Sequence, residues 1–169
     1  ESFRKSLDMA GLVEHNLKYS TKMLKSFHQK KAEQIKEYEI QIDTYEDKLD
    51  SFLLKLSGRE LADEDNEKIS QMLLTIGDYE RIGDHASNIL KIAEKLSESE
   101  NKLTEEAIDE LKTIVNAVLE IYLMSFSAYK NYDLPLAQKV EPLEAVIKKG
   151  VMRAKNNHIQ RLKEGKCAA

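Results

Sequence analysis

Three acidic hexapeptides have the residue types and the spacing that could support chemistry. They occupy residues 38–43, 45–50 and 79–84, and each has the pattern Tyr-Glu-x-x-x-Asp. A spacing of four residues places the Glu and the Asp on one face of a helix, beside the apolar face that carries the Tyr. If two such helices pack side by side, their acidic rows converge. Carboxylates gathered in this way are the oxygen ligands that hard cations prefer.

A second interpretation of the same hexapeptides is a solvated helix face. Like charges four residues apart destabilise a helix by roughly 0.2–0.5 kcal/mol per pair, so something must compensate them. A bound cation would do so, and so would the nearby Lys36, Lys48 and Arg81. Spacing alone leaves both interpretations open.

Two glycines accompany the third hexapeptide. Gly77 lies on the same edge as Glu80 and Asp84, and Gly83 occupies a position on the apolar face where Leu is usual. A glycine inside a helix costs about 1 kcal/mol relative to Ala. We therefore expect close backbone approach or ligand access at both positions.

Motifs for catalysis are missing from the sequence. His85, next to Asp84, could serve as a metal ligand or as a packing residue. The sequence has no Glu-x-x-His pair of the di-iron type, no Gly-rich phosphate loop and no Cys-x-x-Cys. We therefore predict no catalytic residues.

Composition favours long helices. The chain has 169 residues, 41% hydrophobic and 33% charged, with only 6 Gly and 2 Pro. Its net charge of -4 provides no basic field for nucleic acid. One cysteine, Cys167, cannot form a disulfide framework and fits a reducing compartment. No apolar run approaches the roughly 20 residues of a membrane span, so this fragment is expected to be soluble. Because it opens at Glu1, we expect a piece of a longer protein.

Apolar residues at three- and four-residue spacing predict five helices. The segments run at about 3–27, 31–56, from a cap at Asp63 or Asp65 to near 97, 104–129 and 133–163. Gly58 ends the second segment and Thr104 caps the fourth. Pro142 lies inside the fifth, which predicts a kink or a late start there. Short links predict an all-α antiparallel bundle of long helices, with the second and third adjacent.

Residues 78–89, Asp-Tyr-Glu-Arg-Ile-Gly-Asp-His-Ala-Ser-Asn-Ile, resemble the signature third helix of PhoU-family repeats. Residues 39–43 resemble the matching acidic motif on the preceding helix. PhoU proteins are two three-helix repeats whose paired acidic motifs bind multinuclear metal clusters at the bundle surface. The resemblance implies a set of metal ligands with two acidic neighbours, and His85 is a further candidate because it adjoins Asp84. The ligands are Glu39, Asp43, Glu80 and Asp84, and the neighbours are Glu46 and Asp78.

The metal implied by these ligands is a hard ion: iron, manganese, magnesium or calcium. Zinc would require His85. The chain then reads as a single PhoU-like domain, with repeat one at 1–98 and a truncated repeat two at 103–169. In the second repeat Glu144 keeps its place, but Lys148 stands where the Asp should be. That lysine predicts no second metal site.

Residues 158–167 resemble the PhoU-like tail domain of bacterial sodium/phosphate cotransporters, in which a sixth helix would follow. The resemblance implies a non-catalytic regulatory domain at the cytoplasmic face of the inner membrane. Its partner would be the membrane transporter portion of the same polypeptide, and no nucleic acid. The broad apolar stripe of the fourth helix also predicts self-association into a homo-oligomer.

Three alternatives remain open. A free-standing PhoU-like regulator of phosphate uptake signalling is the nearest one. A metal-dependent phosphohydrolase is another, because clustered carboxylates can hold two metals, although no nucleophile is evident. A purely structural helical adaptor is the third.

Overall fold

A computed structural model describes residues 1–99 and 103–167. These residues form six α-helices and no β-strand. The helices are α1 (Ser2–Met23), α2 (Gln29–Ser57), α3 (Asp63–Glu98), α4 (Glu105–Asn131), the one-turn α5 (Leu134–Ala137) and α6 (Val140–Lys163). The all-α fold class with five long helices is therefore confirmed.

Most helix boundaries follow the predicted caps, but the predicted cap of α3 at Asp63 or Asp65 is wrong because both residues lie inside its first turn. Thr104 caps α4 by accepting a hydrogen bond from the backbone N–H of Ala107, at 3.2 Å. Gly58 follows the last residue of α2, as expected. Pro142 lies in the first turn of α6. Backbone N–H groups in the first turn have no acceptor within the helix, so the N–H that proline lacks costs no hydrogen bond there. The expected late start of the last long helix is therefore confirmed.

The end of α1 differs from the prediction. The helix stops at Met23, earlier than the predicted end near Phe27. Leu24 and Phe27 lie beyond it, partly buried against a cluster that contains Met23, Ala32 and other core residues. The apolar spacing continues past the helix because these two side chains pack on the same core from the turn.

The contacts divide the chain into two compact units, unit 1 (Glu1–Glu94) and unit 2 (Lys95–Ala169). In unit 1, α1 and α2 form an antiparallel hairpin, and α3 packs along it. Near one end of the hairpin, five buried side chains from the three helices meet. They are Met23, Ala32, Ile35, Leu90 and Ala93. This packing holds α2 and α3 side by side, as predicted.

Unit 2 is built on an antiparallel pairing of α4 and α6, to which α5 adds one turn. In the described parts of this unit, 95–99 and 103–167, only Tyr122 and Ala128 are buried. By length and composition α4 could cross a membrane, with a mean hydropathy of 1.3 in its most apolar stretch, 11% of which is buried. A single helix of this kind is weak evidence for a span, because core helices of soluble proteins meet the same criterion.

Candidate functional site

The first and third hexapeptides meet where the α3 backbone at Gly83 passes beside α2. A Cβ added to the buried Gly83 would lie 3.3 Å from Oε2 of Glu39 and 3.3 Å from Cγ2 of Ile42. The α3 backbone thus passes directly beside the Glu39 carboxyl, and close approach is the reason for a glycine at this position. At Gly77 nothing lies within 4 Å of such a Cβ, so the close-approach interpretation is wrong there.

Glu39 is the most constrained of the predicted ligands. Partial burial raises its pKa above the ordinary value of 4.5, and the negative charges of Asp43 and Asp84 add to the rise. A hydrogen bond from Ser87 acts in the opposite direction. The nearby Asp84 carboxyl also raises the pKa of Glu39 because it could accept a hydrogen bond from the protonated form.

The other acidic residues are in the same electrostatic neighbourhood. Partial burial raises the pKa of Asp43 and of Glu80, and in both cases the charge of Asp84 is the next largest cause. Partial burial also raises the pKa of Glu46, followed by repulsion from Asp50 and Glu80. The structure therefore brings Glu46 into the same cluster, which we name the carboxylate cluster: Glu39, Asp43, Glu46, Glu80 and Asp84.

The remaining two candidate ligands stand apart in their contacts. Oδ1 of Asp78 lies 3.8 Å from NH1 of Arg81 on its own helix, and both side chains are exposed. His85 is an exposed residue next to Asp84 on α3.

Asn16 of α1 is a site residue that sequence reasoning missed. Its side chain is fully buried, and Nδ2 donates hydrogen bonds to the backbone oxygen of Ile35 (3.1 Å) and to Oε2 of Glu39 (3.5 Å). Oδ1 is buried as well and finds no donor among the residues that the structure describes. The sequence feature that could have identified Asn16 is a polar residue on the apolar face of α1. Ser87, also missed, lies inside the segment 78–89.

The chemistry of the carboxylate cluster fits a hard cation, because every donor is a carboxylate oxygen and the repulsion among the donors would fall on binding one. The geometry fits less closely. Within 1–99 and 103–167, no three Asp, Glu, His or Cys side chains are gathered tightly enough to hold an ion. The cluster thus supplies suitable donors on one face without a closed coordination sphere in this side-chain arrangement.

Unit 2 has a different arrangement at the corresponding positions. Nζ of Lys148 lies 2.8 Å from Oε1 of Glu144, and both side chains are exposed. Lys148 thus stands where the pattern of the first repeat has an Asp, and it forms an ion pair with Glu144 instead of supplying a second carboxylate.

A family model described as the PhoU domain matches residues 7–93, which include the whole carboxylate cluster. The chain belongs to the PhoU family. Comparisons with curated proteins and with solved structures give no match. PhoU membership indicates a regulatory role in phosphate homeostasis, and the family is generally regulatory rather than catalytic. The match ends within α3, so the truncated second PhoU repeat at 103–169 stays a prediction.

Proposed function

We propose that this PhoU protein regulates phosphate transport and that its carboxylate cluster binds a hard cation. The observation that carries the proposal is the convergence of carboxyls where the α3 backbone passes beside Glu39 of α2, which raises the pKa of Glu39, Asp43 and Glu80. Four of them, Glu39, Asp43, Glu80 and Asp84, face one another across two helices that the core holds together. Such a group is destabilising when ionised and becomes favourable once a cation neutralises it.

The residues around Glu39 would prepare it for this role. Asn16 and Ser87 direct hydrogen bonds at the Glu39 carboxyl from α1 and α3, which limits its rotation. A cation would compete with protons for the Glu39 carboxyl, whose pKa is raised, so binding should weaken at low pH. A hard divalent or trivalent ion supplies the positive charge that the cluster lacks.

The cellular setting is also part of the proposal. We place the domain at the cytoplasmic face of a sodium/phosphate cotransporter, joined to the membrane portion of the same polypeptide. Support comes from the resemblance of residues 158–167 to the tail domain of such transporters. A free-standing PhoU regulator is the alternative. Immunodetection of the native polypeptide separates the two, because the first gives a longer protein in the membrane fraction.

Metal analysis of protein purified without chelator tests the cation site. We expect bound metal in the wild-type chain and its loss in the variant Glu80→Gln/Asp84→Asn. The matched control is Glu33→Gln/Glu37→Gln, which removes an equal charge at the same spacing from exposed positions of α2. Equal metal loss in the control, or full retention in the first variant, would contradict the proposed ligands.

A further inference from the structure

Beyond its first five residues, α6 carries an unbalanced positive charge. Residues 145–163 contain six Lys or Arg and no Asp or Glu. Two of the six are neutralised: Lys148 pairs with Glu144, and Arg161 makes two hydrogen bonds of 3.1 Å to the carboxylate of Glu110 on α4. Lys149, Lys155 and Lys163 carry no ion pair to any residue that the structure describes.

These charges share one outward surface, which we name the basic face of α6. Its central line has the spacing 3-4-3-4 and consists of Lys149, Met152, Asn156, Ile159 and Lys163, all exposed. Arg153 and Lys155, also exposed, flank this line on either side. The line spans 14 residue steps, or about 21 Å of helix. The opposite side of α6 packs on α4 through Gly150 and Asn157, so it is not available to a partner.

Two large apolar side chains stand among these charges. Met152 is 59% exposed and Ile159 is 49% exposed, and they lie two helical turns apart on the central line. A helix face that contacts only water gains no stability from either apolar side chain. On a membrane surface these two apolar side chains would reach the acyl boundary while the surrounding ammonium groups lie among the headgroups.

We propose that the basic face of α6 docks on an anionic phospholipid surface. Charge complementarity carries the assignment, because anionic headgroups attract Lys and Arg held close to a membrane. Protein interfaces are depleted in lysine, and binding of single-stranded nucleic acid uses aromatic platforms that this face lacks. The inference rests on α6 alone. It is independent of the carboxylate cluster and of a role in phosphate transport.

Vesicle co-sedimentation of the full chain, in the presence of chelator, tests the proposal. We expect binding to vesicles of phosphatidylcholine mixed with phosphatidylglycerol, none to pure phosphatidylcholine, and weaker binding as salt rises. Each basic residue near an anionic surface contributes about fivefold to the partition coefficient, so Lys149→Glu/Lys155→Glu should reduce binding by at least about twentyfold. Met152→Ser/Ile159→Ser should reduce it as well, and the remaining binding should be more sensitive to salt.

The matched control is Lys25→Glu/Lys30→Glu, which changes the net charge equally at exposed positions of unit 1. Far-UV circular dichroism verifies that each variant folds. An equal loss of vesicle binding in the control would show that net charge alone explains the effect, and it would overturn the assignment. Unchanged binding by the α6 variant would overturn it too. Tight binding of a single-stranded RNA, abolished by the same α6 variant, would show a general polyanion surface instead of a lipid-specific one.

Discussion

Residues 38–43 of α2 and residues 143–148 of α6 share an apolar-acidic pattern but have opposite surroundings. Ile42 is fully buried, whereas Ile147 at the equivalent position is only partly buried. Glu39 faces other carboxyls that raise its pKa, whereas Glu144 is held by Lys148. Helical spacing therefore predicts which face a residue occupies. The neighbouring helix decides whether that face becomes a core edge with concentrated charge or a solvated surface.

The polar links across the two helix hairpins differ in the same way. In unit 1 the amide of Asn16 reaches Glu39 inside a core. In unit 2 the amide of Asn157 reaches Glu110 at 2.8 Å, and Arg161 binds the same carboxylate. The hydrogen bond from Arg161 is the main reason that the pKa of Glu110 is lowered. Unit 1 thus keeps a carboxyl in a negative environment, and unit 2 neutralises one.

The largest expected difference between the units lies in their cores. Ile42→Ala should lower the free energy of unfolding by about 2–5 kcal/mol, because the fully buried side chain leaves a cavity. Ile147→Ala should cost only about 1 kcal/mol, because water already reaches that side chain. Urea denaturation followed by far-UV circular dichroism measures both. Equal costs would show that unit 2 packs as tightly as unit 1.

A smaller difference is expected between the two asparagines. Asn16→Ala should cost about 1–3 kcal/mol, since it removes a buried donor to Ile35 and Glu39. Asn157→Ala should cost less, because Arg161 still satisfies the Glu110 carboxylate. The same denaturation experiment compares them. A larger cost for Asn157 would mean that the link in unit 2 depends on the amide and not on the guanidinium.

The sequence predicted most of the fold because its signals are local. Five periodic segments, the Thr104 cap and the glycine after α2 follow from spacing and caps along a single stretch of chain. It also predicted the face of Glu39 and Glu80, since a four-residue step fixes a helix face. It could not reveal that Asn16 reaches Glu39, because that contact joins residues 23 positions apart on separate helices. Nor could spacing show that Gly83 meets α2 while Gly77 faces open space.

The smallest expected effect is the change in stability when the negative charge of Glu39 is removed, and the size of this change should depend on pH. Partial burial and neighbouring carboxylates raise the pKa of Glu39 in the folded state, so the folded protein binds its proton more tightly than the unfolded chain does. The contribution of Glu39 to stability is therefore fully present below its unfolded pKa and is lost as pH rises through the folded pKa. At neutral pH the ionised group is repelled by its neighbours.

Glu39→Gln should consequently raise the free energy of unfolding of the metal-free protein at pH 7 by about 0.2–0.5 kcal/mol for each like-charge pair removed, which is measured as a higher thermal midpoint. The gain should disappear towards pH 4, where the wild-type carboxyl is protonated as well. Glu144→Gln should show no such gain at pH 7, because it removes one half of an attractive, solvent-exposed ion pair. Thermal melts in chelator at both pH values make the comparison. A Glu39→Gln variant that is destabilised at pH 7 would mean that the hydrogen bonds from Asn16 and Ser87 outweigh the repulsion at Glu39. A stabilising Glu144→Gln would mean that the Glu144 carboxylate is not in an attractive environment. Either result would show that the contrast between the two carboxyls is wrong.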